Sequence, residues 1–198
     1  HAFVGASYGG MVGLAFAARF PRRIERLCVI SAADKPHPAA TALRGIQRRI
    51  IDLARRSGAP DKGVSLARQL AMVTYRTPEE FGQRFRHAPG EAAGDPYEVC
   101  SYLIARGDAY VMAPERFVTL SDSIDRHAIE PSAIETPALF LAAASDRLVP
   151  REDIRRLAAR VADGAYFEFN SLYGHDAFLK EAAVIGPVIE KFIKEERP

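Results

Sequence analysis

An α/β sheet protein with a helical insertion is what this sequence predicts, and three observations carry the prediction. Short apolar runs alternate with helical stretches at both ends of the 198 residues. A long middle stretch shows helical spacing and no strand signal. A Gly-x-Ser-x-Gly pentapeptide, Gly5-Ala6-Ser7-Tyr8-Gly9, follows directly on the first apolar run. The composition, 48% hydrophobic and 26% charged, is that of an ordinary soluble globular chain. A net charge of +2 is too small to argue for a nucleic-acid partner by itself. No apolar run reaches the length of a membrane span, and His1-Ala2-Phe3-Val4 is no signal peptide. Cys28 and Cys100 have neither metal-ligand nor disulfide-framework spacing, so no metal site is expected and a reducing cytoplasm fits. Cys28, inside the apolar run at 26–31, reads as a small buried hydrophobe.

Taken in order, residues 1–4 read as the end of a strand and 9–20 as an alanine-rich helix stopped by Pro21, which cannot continue one. The run Arg26-Leu27-Cys28-Val29-Ile30-Ser31 is nearly all apolar, as a strand covered on both faces must be. Helical spacing then marks 39–57, 61–76, 78–85, 96–112 and 114–125, interrupted at Gly58, at Pro78 and by the Gly/Pro segment 87–96. Strand and helix alternate again with strands at 138–144 and 165–170 and helices at 150–162 and 182–195. One crossover helix suffices between parallel strands. Residues 32–137 are far longer than that, so they read as a helical lid inserted into a core made of 1–31 and 138–198.

The pentapeptide lies where a strand should hand over to a helix, the setting of a nucleophile elbow. Small neighbours are needed because strand and helix approach closely, and Gly5, Ala6, Gly9 and Gly10 supply them. A nucleophilic serine needs a base, and the base an orienting carboxylate. Asp146 follows the strand at 138–144, and His175 follows the strand at 165–170. The order Ser7, Asp146, His175, each placed after a strand, is that of a hydrolase-type triad, with the Tyr8 backbone N–H as one oxyanion donor. His37, His87 and His127 read as structural or exposed histidines.

The stretches GASYGGM (5–11), LARQLAMVTYRTPEEFGQRF (66–85) and YGHDAFL (173–179) together resemble the homoserine O-acyltransferases of the α/β-hydrolase fold. The likeness spans essentially the whole chain, and its most specific part is the helical stretch holding MVTYR. The resemblance implies transfer of an acyl group, acetyl in preference to succinyl, from acyl-CoA to the hydroxyl of L-homoserine in methionine biosynthesis. Acyl-CoA is then a co-substrate, and no bound cofactor is implied. Ser7 would carry the acyl group, His175 would be the base and Asp146 its orienter. Arg68 and Tyr75 would reach the homoserine, and Asp176 would hold its amine. Being seven apart, Arg68 and Tyr75 share one helix face with Met72 between them. A guanidinium pairs well with an α-carboxylate.

The resemblance further implies a lid-mediated homodimer; neither nucleic acid nor a membrane is expected as a partner. It also implies sheet strands ahead of the elbow, on the order of 100 residues at about 30 per strand–helix unit, with the second oxyanion donor among them. The chain is thus expected to be the part of the fold from the elbow onward. Arg44, Arg48, Arg49, Arg55 and Arg56 read as a solvated helix face, with CoA phosphates as the other reading. Three alternatives stand beside the transferase: an esterase of the same fold, a serine O-acyltransferase, and a non-enzymatic domain that binds a partner through its lid.

Overall fold

The computed structural model describes residues 1–87 and 97–194. The Gly/Pro segment expected at 87–96 therefore lies outside the described residues, apart from His87. The described chain separates into two compact units, residues 1–37 with 124–198, and residues 38–123. These edges lie inside the 31/32 and 137/138 divisions read from the sequence. The reason is burial: Ala32 belongs to the core of the first unit, and Ile124, Ile129 and Ile134 pack against or within that same core.

The first unit is built on a four-stranded, all-parallel sheet in the order β1 (Ala2–Ala6), β2 (Arg26–Ile30), β3 (Ala138–Ala143) and β4 (Gly164–Phe169). α1 (Tyr8–Arg19) connects β1 to β2, and α7 (Arg151–Arg160) connects β3 to β4. Every residue of β3 is buried, as the all-apolar run predicts for a strand covered on both faces. Side chains alternate strictly between two cores. Leu27, Val29, Phe140 and Ala142 meet Met11 and Leu14 of α1 and Ile154 and Leu157 of α7. Cys28, Ile30, Leu139 and Leu141 face the other way, toward Ala177 and Ile185. These last two belong to α8 (Ala177–Lys180) and α9 (Ala182–Lys194). Short 3₁₀ turns at Pro131–Ala133 and Gly174–Asp176, and the single turn of α8, carry no periodic pattern long enough to be seen in the sequence. Among the described residues no helix is long and apolar enough to cross a membrane.

The second unit is helical: α2 (Pro38–Arg56), α3 (Pro60–Tyr75), α4 (Pro78–Arg84), α5 (Glu98–Asp108) and most of α6 (Pro114–Asp125). Gly58, at φ 72, ends α2 in the left-handed conformation that costs glycine least. Thr77 caps α4, its hydroxyl accepting the Glu80 N–H at 3.0 Å, with Pro78 at the first helical position. A small core of Ile51, Val64 and Ala67 is covered by Tyr110, Met112, Phe117 and Val118. The helix expected over 96–112 runs from Glu98 and stops at Asp108, and its first expected residue, Pro96, lies outside the described ones. Pro114 opens the next helix, and a residue ahead of proline is steered away from helical dihedrals, so 109–113 form a loop.

Candidate active site

The elbow is made by a strand that ends under tension. β1 pairs in register with β2, Ala6 opposite Ile30, and the Ser7 N–H still donates to the Ile30 carbonyl at 2.8 Å. The chain then turns at once into α1, which forces Ser7 to φ 51 and ψ −121. Positive φ in a residue with a Cβ is costly and is held only by its surroundings. Two glycines permit the turn. A Cβ on Gly5 would lie 2.4 Å from the Gly9 carbonyl oxygen, and one on Gly10 would lie 2.8 Å from the Ala32 Cβ. Gly9 is different from the expectation: a Cβ there meets nothing within 4 Å, so of the three glycines expected at the turn the close approach falls on Gly5 and Gly10. A second strained residue, Ser31 at φ 50, ends β2 beside the elbow and is fully buried. Nothing in the sequence marked it.

Parallel strands place their carboxyl ends on one edge, so the loops after β1, β3 and β4 share that edge. Ser7 Oγ stands 2.7 Å from His175 Nε2, and His175 Nδ1 stands 2.8 Å from Asp146 Oδ2. His175 and Asp146 are each 4% exposed. With its proton on Nδ1, where the carboxylate accepts it, the imidazole leaves Nε2 as acceptor for the serine hydroxyl. Asp146 Oδ1 accepts the backbone N–H groups of Leu148 and Val149, both at 2.9 Å. The His175 ring stands edge-on to Phe178 at 5.9 Å between centroids. Tyr8 is the first residue of α1, so its N–H is among those a helix leaves to acceptors outside itself. This arrangement can activate a hydroxyl for attack on an acyl group and return the proton to a leaving group.

Asp176 follows His175 on the same 3₁₀ turn and is 9% exposed. It precedes α8 but makes no side-chain cap there, which removes the capping role as an account of it. Arg68 and Tyr75 lie together on α3 of the helical unit. The guanidinium carbon stands 5.5 Å from the Tyr75 ring centroid, and Met72 between them is buried. The sequence reading missed Tyr110, whose ring centroid lies 4.7 Å from the same guanidinium. Its only signal was an aromatic residue in a stretch expected to be helix.

Of the arginines on α2, Arg48 donates to Ser121 Oγ at 2.8 Å and Arg55 to Glu115 at 3.0 Å. Arg44 donates to Thr41 Oγ1 at 3.4 Å, and Arg56 pairs with Asp52. Burial pushes the Cys28 thiol up to about 12, so it is an inert core residue. His87 is exposed, its ring tilted against Tyr97 at 4.8 Å between centroids.

A family model for the alpha/beta hydrolase fold matches residues 1–182. The chain belongs to the α/β-hydrolase family. It is 42% identical over 194 residues to a homoserine O-succinyltransferase of Xanthomonas campestris pv. campestris. It is 33% identical over 207 residues to a homoserine O-acetyltransferase of Thermus thermophilus. Each alignment covers 96% of this chain and 52% of the relative, so the α/β-hydrolase chain described here spans about half the length of those relatives. Among solved structures, a homoserine O-acetyltransferase from Bacillus anthracis superposes with a TM-score of 0.88 at 16% identity, covering 99% of this chain and 60% of that one. An acetylester hydrolase from Corynebacterium glutamicum superposes at 0.82 with 14% identity, covering 98% and 61%. At such identities these superpositions speak for the α/β-hydrolase fold and not for a reaction.

Proposed function

We propose that the protein transfers an acyl group from acyl-CoA to the hydroxyl of L-homoserine, through an acyl-enzyme on Ser7, as a step of methionine biosynthesis. The observation that carries this reading is the 42% identity to a named homoserine acyltransferase across nearly the whole chain. The hydrogen-bonded row Ser7, His175, Asp146 supplies the means. Fold alone does not choose between transferase and esterase, since both kinds superpose well; likeness in sequence favours the transferase.

In this reading His175 Nε2 takes the Ser7 proton as Oγ attacks the thioester carbonyl, and the Tyr8 N–H stabilises the oxyanion. The tetrahedral intermediate collapses, the carbon–sulfur bond breaks, and the CoA thiolate leaves with the proton from His175. Homoserine's hydroxyl then gives its proton to Nε2, attacks the acyl carbonyl and leaves as the ester, while Ser7 regains a proton from His175. Arg68 and Tyr75 take the amino acid's carboxylate, and Asp176 takes its ammonium. Of the two relatives described, the more similar is named for succinyl transfer, which moves the expected donor from acetyl to succinyl.

A homodimer formed through the helical unit is part of the proposal. Ile46 and Leu53 on α2, and Leu66 and Val73 on α3, are exposed apolar pairs seven residues apart, each pair on one helix face. The cytoplasm is the proposed location, in keeping with two free cysteines and a CoA thioester substrate. The test is a thiol-release assay that crosses succinyl-CoA and acetyl-CoA with homoserine and serine, joined to intact-mass analysis without acceptor. One acyl adduct, absent in Ser7→Ala, together with homoserine-dependent turnover is the expected result. Thiol release indifferent to every acceptor would make the protein an esterase.

A further inference from the structure

We infer that Tyr110 is a positioning residue that restrains the Arg68 guanidinium for an amino acid carboxylate. The inference rests on the homoserine reading for the identity of that carboxylate, and on the helical unit's own geometry for the clamp.

Arg68 is half-buried, yet among the described residues its interactions are with two aromatic rings and with no carboxylate. The Tyr110 centroid is 4.7 Å and the Tyr75 centroid 5.5 Å from its guanidinium carbon. Both lie within the range in which a ring face attracts a cation. Rings hold a guanidinium through its charge and use none of its N–H donors, and a carboxylate can accept those donors through two parallel hydrogen bonds.

Tyr110 is itself fixed, which a platform must be. Its N–H donates to the Gly107 carbonyl at 3.1 Å. Its hydroxyl donates to Met112 Sδ at 3.4 Å, and its ring stands edge-on to Phe117 at 6.4 Å. It packs on the buried group of Ile51, Val64 and Ala67. Tyr75 shares a helix with Arg68 and moves with it, whereas Tyr110 comes from the loop after α5. The loop residue therefore sets where along its arc the long arginine side chain stops. An arginine with three or more soft torsions loses less freedom on binding if a ring already restrains it.

The experiment measures L-homoserine binding by titration calorimetry and acyl transfer by steady-state kinetics, in the wild type and in Tyr110→Leu, Tyr110→Phe, Arg68→Ala and the Tyr110→Leu/Arg68→Ala pair. Removing the ring should weaken homoserine binding and raise KM about tenfold, the scale of one partly desolvated cation–π contact. The rate of Ser7 acylation by acyl-CoA should not change. Tyr110→Phe keeps the ring and should restore the affinity to within about twofold, which separates the clamp from the hydroxyl's bond to Met112. In the Arg68→Ala background, Tyr110→Leu should add nothing, because its effect runs through Arg68. Unchanged binding in Tyr110→Leu, or an equal loss with and without Arg68, would overturn the clamp. Tyr110-dependent homoserine binding without any acyl transfer would instead overturn the proposed reaction and leave the clamp standing.

Discussion

Asp146 holds His175 with one oxygen and the backbone with the other. Oδ2 meets His175 Nδ1 at 2.8 Å, while Oδ1 accepts the N–H groups of Leu148 and Val149 at 2.9 Å. The carboxylate therefore cannot turn to follow the ring, and it fixes both the tautomer and the direction of Nε2 toward Ser7. An amide at this position would offer an N–H to one side or the other and lose a bond at each choice. Asp146→Asn should fold and still bind acyl-CoA, with the rate of Ser7 acylation lower by roughly 10³–10⁴-fold, the scale of a wrongly held imidazole. A single-turnover acylation assay checks this. A loss under tenfold would assign the orientation of His175 to another group.

The elbow distinguishes two glycines that look alike in the sequence. Gly5→Ala puts a methyl 2.4 Å from the Gly9 carbonyl oxygen, backbone against backbone, where no side chain can yield. It should cost about 1–3 kcal/mol in stability as an overpacked contact. It should also displace Ser7 enough to abolish acylation. Gly9→Ala finds open space and, in the first turn of α1, should be neutral or slightly stabilising. Thermal denaturation of the two variants beside the wild type decides the matter; equal destabilisation would show that the helix start does not approach the strand as described.

Acceptor recognition should separate from the first chemical step. On the proposed reading, Arg68→Ala would remove a charge-assisted contact of about 1.5–3 kcal/mol, and Asp176→Asn would remove the charge proposed to meet the amine. Both should slow deacylation by homoserine while leaving the acyl-CoA burst on Ser7 in place. Burst and steady-state phases measured with the same preparation give the two steps. Equal losses in both would make these residues supports of the triad and not ligands of the acceptor.

His127 should set an acid limit to stability. Its imidazole is partly buried with Nε2 unpartnered among the described residues, and burial lowers its pKa below 6.5 despite the Ala33 backbone hydrogen bond and the nearby Asp34 charge. The folded state therefore favours the neutral ring, and the unfolded chain binds the proton more readily. Below pH 6.5 the unfolded state takes up protons first, so stability falls as the pH drops through the folded pKa and is unaffected above 6.5. His127→Asn keeps a short polar side chain without the titrating ring. Its denaturant midpoint should fall less between pH 7 and pH 5 than that of the wild type. Parallel slopes would remove His127 from the acid limit.

How much was legible in advance follows from how local each signal is. The strands at 26–31 and 138–144 could be read because a parallel strand covered on both faces must be continuously apolar. The elbow could be read because its glycines and serine lie within five residues, and Asp146 and His175 because each lies in the loop that follows a strand. The helix ending at Asp108 was overextended because apolar spacing continues past it, while Pro114 acts on residues ahead of itself. Gly9 and Gly5 could not be told apart, since which Cβ meets a neighbouring backbone depends on the angle between β1 and α1. Ser31 and Tyr110 were invisible for a related reason. Strain at one and an arginine over the ring of the other arise from partners distant along the chain, which no window of sequence contains. By itself, then, the sequence determined the α/β class, the helical stretch between the strands and the placing of Ser7, Asp146 and His175 each after a strand, because periodicity and adjacency are properties of a chain. Only the tertiary structure decided where the two units divide, which glycine the elbow cannot spare and what restrains Arg68, because those depend on packing between segments that meet only once the chain is folded.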